Sequence, residues 1–177
     1  MIAVRKIKNE SKHRVETHLR KSGLPFTVVG PTYFRENQLG ALDELAVRRV
    51  LTLPLAPDRP LQTLDRDDLG NFVAGLFESG AAHLGQRIDL ASDSTTGPEM
   101  ALAFARALGR PIRYVAEGVD EVMVSDDDLG RMWAWLNRVG YSADRTRLHR
   151  EFRDVPWRTF EEWAREVTGA DFAGATL

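Results

Sequence analysis

Short β-prone runs alternate along this chain with amphipathic segments that carry helix-start signals. That alternation constrains the fold more than any other feature, because it points to an α/β layer architecture. Two segments, Thr96-Gly97-Pro98-Glu99 and Thr159-Phe160-Glu161-Glu162, have capping-box spacing. The first also places a proline in the opening turn, where no backbone donor is lost. It predicts a helix to Leu108 that ends at Gly109, and the second a short last helix carrying Trp163 and Val167. Ser125-Asp126-Asp127-Asp128 is a further start, with carboxylates where the helix dipole favours them. It leads into Leu129, Met132, Leu136 and Val139 and stops at Gly140. Asp67 to Ser79 carries one apolar stripe of Leu69, Phe72, Val73, Leu76 and Phe77. Ser11 to Ser22 places Val15 and Leu19 on one face, with Gly23 as the natural residue beyond its end. One more helix is expected from Phe34 or Glu36 to Val50.

Between these lie the strands. Phe26-Thr27-Val28-Val29, bounded by Pro25 and Gly30-Pro31, reads as a buried strand. Gln86 to Ala91, Ile112 to Val115 and Leu51 to Leu55 read as others, the last interrupted by Pro54, and Ile2 to Ile7 as a short first one. The tail from Gly169 is small-residue-rich and expected to fray. No repeat or linker divides the 177 residues, so residues 1–177 are expected to form one domain.

Composition removes several classes of function. Lys and Arg number 24 against 26 Asp and Glu, a formal charge of −2 that lacks the basic field of a non-specific nucleic-acid binder. There is no cysteine, which excludes disulfides, thiolate catalysis and thiolate-bound zinc. The longest uncharged stretch, Ser22 to Phe34, is too short to span a bilayer. Met1 to Arg14 has no apolar core of a signal peptide, so the cytoplasm is the expected location.

Two features can carry chemistry. Lys12 lies three residues before Val15 and seven before Leu19, on their stripe. It either enters a cleft, where its ammonium donates to a ligand hydroxyl, or snorkels past a core edge into water. The turn Gly30-Pro31-Thr32-Tyr33-Phe34, continuing to Asn37, follows a strand, and ligands of open α/β sheets bind beyond the carboxyl ends of strands. It offers two hydroxyls and two aromatic faces, or serves only as a turn whose aromatics cap the core. No pair among His13, His18, His83 and His149 has i, i+4 spacing, so no metal site is expected. Asp126 to Asp128, and Asp65, Asp67 and Asp68, read as helix-start carboxylates. Trp133, Trp135, Trp157 and Trp163 read as packing residues. The basic cluster Arg5, Lys6, Lys8, Lys12 and Arg14, broken by Glu10 and Glu16, reads as a solvated face. No glycine-rich dinucleotide loop, Walker loop or nucleophile elbow is present.

The order Ser11-Lys12, Val15-Glu16, Leu19-Arg20, Ser22 to Thr27, then Pro31 to Phe34 and Asn37, resembles the NmrA-like family of atypical short-chain dehydrogenase/reductases. Asp67 to Gly70, Gly85 to Ala91, Pro98 to Gly109 and Pro156 to Ala164 continue the resemblance in the family's order, over residues 9 to 168. It implies the C-terminal part of a Rossmann-like doubly wound parallel sheet plus the small α/β substrate domain. The glycine-rich phosphate loop of the family's first units would lie before Met1. The resemblance places Lys12 as the active-site lysine on the nicotinamide ribose. It places Pro31, Thr32, Tyr33 and Phe34 along the nicotinamide end of the cofactor groove and Asn37 on the substrate side. Lys8 stands where the lysine's tyrosine partner is expected, and Gly30 where the family usually has arginine. The implied function is an NAD(P)H-dependent oxidoreductase acting on a small carbonyl or quinone, with NADP expected ahead of NAD. Without the phosphate loop the chain is expected to be inactive alone, to bind cofactor poorly and to associate as a homodimer or with a partner. The alternative is a non-catalytic NAD(P)-sensing or protein-interaction module, which the missing tyrosine favours.

Overall fold

The computed structural model describes residues 9–172. Helix α1 (Asn9–Lys21) leads to strand β1 (Val28–Pro31) and to the two-residue β2 (Tyr33–Phe34). A 3-10 segment (Arg35–Ala41), α2 (Leu42–Arg48), β3 (Val50–Leu53), β4 (Pro60–Leu64) and α3 (Arg66–Glu78) follow. Then come β5 (Arg87–Leu90), β6 (Asp93–Thr96), α4 (Gly97–Leu108), β7 (Arg113–Ala116) and α5 (Val119–Ser125). The described chain closes with α6 (Asp127–Arg138), α7 (Arg145–Glu151) and α8 (Phe160–Phe172). The expected strand Ile2 to Ile7 lies outside the described residues, as does the tail beyond residue 172. No described helix is long and apolar enough to cross a membrane.

The strands form three small sheets. β1 pairs with β5 in parallel, and β3 pairs with β7 in parallel. β4 lies between β2, to which it is parallel, and β6, to which it is antiparallel. Parallel pairs need a crossover between them, and here the helices supply it, as the alternation in the sequence requires.

Two apolar clusters result. One gathers Phe72, Leu90, Leu148 and Trp157 under β1, β5 and α3. The other gathers Leu45, Leu51, Met100, Phe104, Trp133 and Trp163 among α4, α6, α8 and β3. Successive side chains of a strand point to opposite faces. β2 accordingly sends Tyr33 into the second cluster and Phe34 against the first. The two-residue strand thus joins both cores.

Several expected boundaries shift for identifiable reasons. β1 begins at Val28 rather than Phe26, because the Phe26 carbonyl accepts the Gly85 N–H in a turn where Gly85 has φ 76°. It then runs through Gly30-Pro31, which the sequence reading took as its stop. The helix expected up to Val50 is split into the 3-10 segment and α2. In a 3-10 turn, residues three apart eclipse, and Arg35 and Gln38 are both buried on that shared side. β3 stops at Leu53 as Pro54 demands. The capping boxes at Thr96 and Thr159 form, and Gly109 closes α4 at φ 65°. β4, β6, α5 and α7 carry weaker local signals and were not anticipated.

Arg35 has no exposed surface. Its guanidinium donates to the Thr159 carbonyl at 2.9 Å and the Arg158 carbonyl at 3.1 Å, and lies 3.8 Å from the Asp65 carboxylate. Removing one member of a buried ion pair leaves the other charge uncompensated, at about 3–5 kcal/mol. Arg35→Leu is therefore expected to lower the unfolding free energy by roughly 3–5 kcal/mol, read as a lower urea midpoint. An unchanged midpoint would refute that role.

Candidate functional site

Parallel strands β1 and β5 end together, with Pro31 opposite Leu90. Beyond that edge the chain continues as Thr32-Tyr33-Phe34 on one side and Ala91-Ser92 on the other. The Thr32 N–H donates to the Leu90 carbonyl at 3.1 Å. The Ser92 N–H donates to the Thr63 carbonyl at 2.8 Å, and the Ser92 hydroxyl accepts the Asp65 N–H at 3.1 Å. Three segments therefore converge at the carboxyl ends of the strands, where α/β sheets bind ligands.

Thr32 is buried there, and its hydroxyl oxygen has no hydrogen-bond partner. Buried polar groups are usually paired, so this hydroxyl is free to meet a polar atom, as is the unpaired hydroxyl of Thr95 on β6. Pro31 is exposed beside it, and Phe34 is half-buried. Tyr33 is only 7% exposed, its ring 5.5 Å from that of Trp133. Burial pushes its hydroxyl up to about 12. Asn37 itself is exposed in the 3-10 segment. Pro31, Thr32, Tyr33, Phe34 and Asn37 are thus brought to one place by consecutive structure.

Lys12 stands apart, exposed on α1. Among the described residues, the side-chain hydrogen bond joining α1 to another element is that of Glu16, one turn further on, to Arg87 at 2.6 Å.

The sequence reading missed the polar network behind this site. Asp65, expected as an ordinary helix-start carboxylate, does cap α3 by accepting the Asp67 N–H, but it is also fully buried and accepts Arg158 Nη2 at 2.7 Å. Asp68 is fully buried too, and accepts the Arg158 N–H at 2.9 Å. Burial raises its carboxyl above the ordinary aspartate range, and its Oδ1 has no hydrogen-bond partner. Asp93 accepts Arg145 Nη2 at 3.0 Å and the Phe160 N–H at 2.8 Å, fastening the start of α8 to β6. His149 stacks on Trp157 with ring centroids 5.0 Å apart and 12° between planes. Burial lowers its pKa, and its Nε2 has no partner. One signal was available: Asp65 and Asp68 are three apart, on one side of the first turn.

The fold is that of an α/β protein with a buried, unpartnered hydroxyl beyond a parallel strand pair. The chain belongs to the NmrA-like family, whose model matches residues 6–164. It is 32% identical over 124 residues to the nitrogen metabolite repression protein of Neurospora crassa, covering 64% of this chain and 25% of that protein. To the (4-alkanoyl-5-oxo-2,5-dihydrofuran-3-yl)methyl phosphate reductase of Streptomyces griseus it is 28% identical over 161 residues, 85% of this chain and 56% of that protein. The crystal structure of NmrA, a negative transcriptional regulator, in complex with NADP superposes with TM-score 0.73 and 26% identity, over 94% of this chain and 60% of that one. The chain therefore spans between a quarter and three fifths of the length of these relatives. Its fold is the C-terminal part of a Rossmann-like sheet with the small α/β domain, as the resemblance implied.

His149 is uncharged in more of the folded population than of the unfolded one, because its folded pKa lies below 6.5. The unfolded chain then binds more protons, and the contribution of His149 to stability falls as pH drops through and below that value. Between about pH 7.5 and about pH 5.5 the melting midpoint is expected to fall further for the wild type than for His149→Phe. Parallel curves would contradict the assignment.

Proposed function

We propose that this chain forms the nicotinamide-end part of an NAD(P)-binding unit of the reductase type. The observation that carries the reading is the buried, unpartnered hydroxyl of Thr32 beyond the parallel strands β1 and β5. A polar group of the cofactor would complete it. Pro31 and Phe34 supply apolar walls, Tyr33 fixes the turn from below, and Lys12 offers an ammonium to ribose hydroxyls. Asn37 faces the substrate side. NADP is the cofactor proposed first, with NAD second, in a cytoplasmic protein.

When bound, the cofactor supplies a hydride, and a small carbonyl or quinone would receive it. What the chain contributes is binding, orientation and a proton source. Tyr33 is a poor source, since a general acid works best near ambient pH and burial holds this hydroxyl near 12. Thr32 remains the hydroxyl at the site. The weak acidity of Tyr33, with Lys8 where a catalytic tyrosine would stand, favours a second reading, a cofactor-sensing module without turnover. The Neurospora relative, a repression protein, is in keeping with that reading.

The pyrophosphate of a dinucleotide ordinarily rests on a glycine-rich loop at a helix N-terminus. No such loop occurs in these 177 residues. Among the described residues the outer edge of β1 carries no strand. Unpaired edges invite pairing, and a second copy or another polypeptide is proposed to supply it.

A ligand that binds the folded state alone raises the melting midpoint. Millimolar NADPH is expected to raise that of the purified chain, and Lys12→Ala to remove most of the increase while leaving the unliganded midpoint unchanged. No shift in the wild type defeats the cofactor reading. A shift without NADPH oxidation across a panel of carbonyls and quinones selects the sensing module over the reductase.

A further inference from the structure

Gly30 sits in the middle of β1, buried, with an ion network laid directly over it. A Cβ at this position would run into the Asp89 carboxylate and come within 2.7 Å of the Arg87 guanidinium. Both side chains come from the neighbouring strand β5. Arg87 donates through Nε to Asp89 at 2.9 Å and through Nη1 to Glu16 of α1 at 2.6 Å. Glu16 also accepts Arg20 Nη2 at 2.8 Å, and its side chain is 16% exposed. The carboxylate is therefore held between α1 and the sheet.

The apolar residues of α1 do not do this anchoring. Val15 is 68% exposed and Leu19 only half-buried. A helix without a buried stripe turns freely about its axis unless a directional bond fixes it. Lys12 and Glu16 are four apart and so share one helix face. Whatever fixes Glu16 fixes the direction of Lys12.

We propose that Arg87 is a positioning residue: from β5 it supplies, across the bare Cα of Gly30, the guanidinium that holds Glu16, and so sets which face of α1 meets the sheet and where Lys12 stands. The space over position 30 can hold one such arm, and here it comes from the adjacent strand. Its consequence for cofactor rests on the reading of Lys12 given above, whereas its consequence for α1 does not.

The test is hydrogen exchange on the intact chain, read segment by segment. A partly exposed ion pair is worth little, so Arg87→Ala is expected to speed exchange in α1 by about fivefold, leaving β3 and α8 unchanged. Adding Gly30→Arg and Asp89→Ala to Arg87→Ala, which clears the space a Cβ at position 30 needs, returns the arm from β1 itself and is expected to slow α1 exchange back toward the wild-type rate. Unchanged α1 exchange in Arg87→Ala overturns the proposal. So does a folded triple variant as fast as Arg87→Ala alone. Should the triple variant not fold, Gly30→Ala decides: its methyl displaces the network and must speed α1 exchange as Arg87→Ala does, and no change overturns the proposal. NADPH melts separate the two readings. If Lys12→Ala keeps the NADPH-induced shift, the cofactor reading of Lys12 fails while the exchange result stands. If Lys12→Ala loses the shift and Arg87→Ala keeps it, the positioning of Lys12 by Arg87 fails.

Discussion

A single buried guanidinium ties the two halves of this molecule together. Arg35 follows directly on β2, the two-residue strand whose side chains enter both apolar clusters. It has no exposed surface, and its charge is met by Asp65 while Nη1 and Nη2 donate to the carbonyls of Thr159 and Arg158. Those carbonyls stand just before α8, the helix that packs along α4. Burying such a charge is costly unless every partner is in place. The position of α8, the start of α3 and the end of β2 are consequently set by one another. Arg158 repeats the arrangement from the other side, holding Asp65 and Asp67 with its guanidinium and Asp68 with its backbone.

This network explains why the strand end beyond β1 is a defined place rather than a loose loop. Thr32 lies one residue from β2, and β2 is fixed by Arg35 and by its pairing with β4. The Ser92 hydroxyl, on the neighbouring crossing, takes the Asp65 N–H. The turn Pro31-Thr32-Tyr33-Phe34 is thus held at both flanks, with Tyr33 wedged against Trp133. A frame that holds the unpaired Thr32 hydroxyl in place is what a preorganised binding edge requires. Lys12 is held differently. Its helix meets the sheet through exposed and half-exposed ions, so its orientation depends on a few polar bonds rather than on packing.

The sequence spoke clearly where the signal was local. The boxes at Thr96 and Thr159, the carboxylate start at Asp126 and the glycine ends at Gly109 and Gly140 concern residues a few positions apart, and they form as read. The family order also placed Pro31 to Phe34 at a strand end. What escaped was non-local. β4 and β6 carry Gln62, Thr63 and Asp93, whose side chains bond to distant partners. The Gln62 side chain, for example, both donates to and accepts from Ala143. Hydrophobic periodicity cannot register a strand stabilised in that way. Gly30-Pro31 read as a stop because glycine and proline punctuate chains, yet here glycine makes room for Arg87 and Asp89. Nothing near Arg35 or His149 in the sequence foretells their partners, which come from other segments.

In the proposed arrangement the nicotinamide end of the cofactor lies against Pro31 to Phe34, while the phosphate end finds no dedicated loop in these 177 residues. Saturation-transfer difference NMR on NADPH with the purified chain addresses it directly, because it reports which ligand protons touch protein even when binding is weak. Strong transfer to the nicotinamide ring protons and weak transfer to the adenine protons are expected, with the nicotinamide signal reduced in Thr32→Val. Stronger transfer to adenine than to nicotinamide would contradict it.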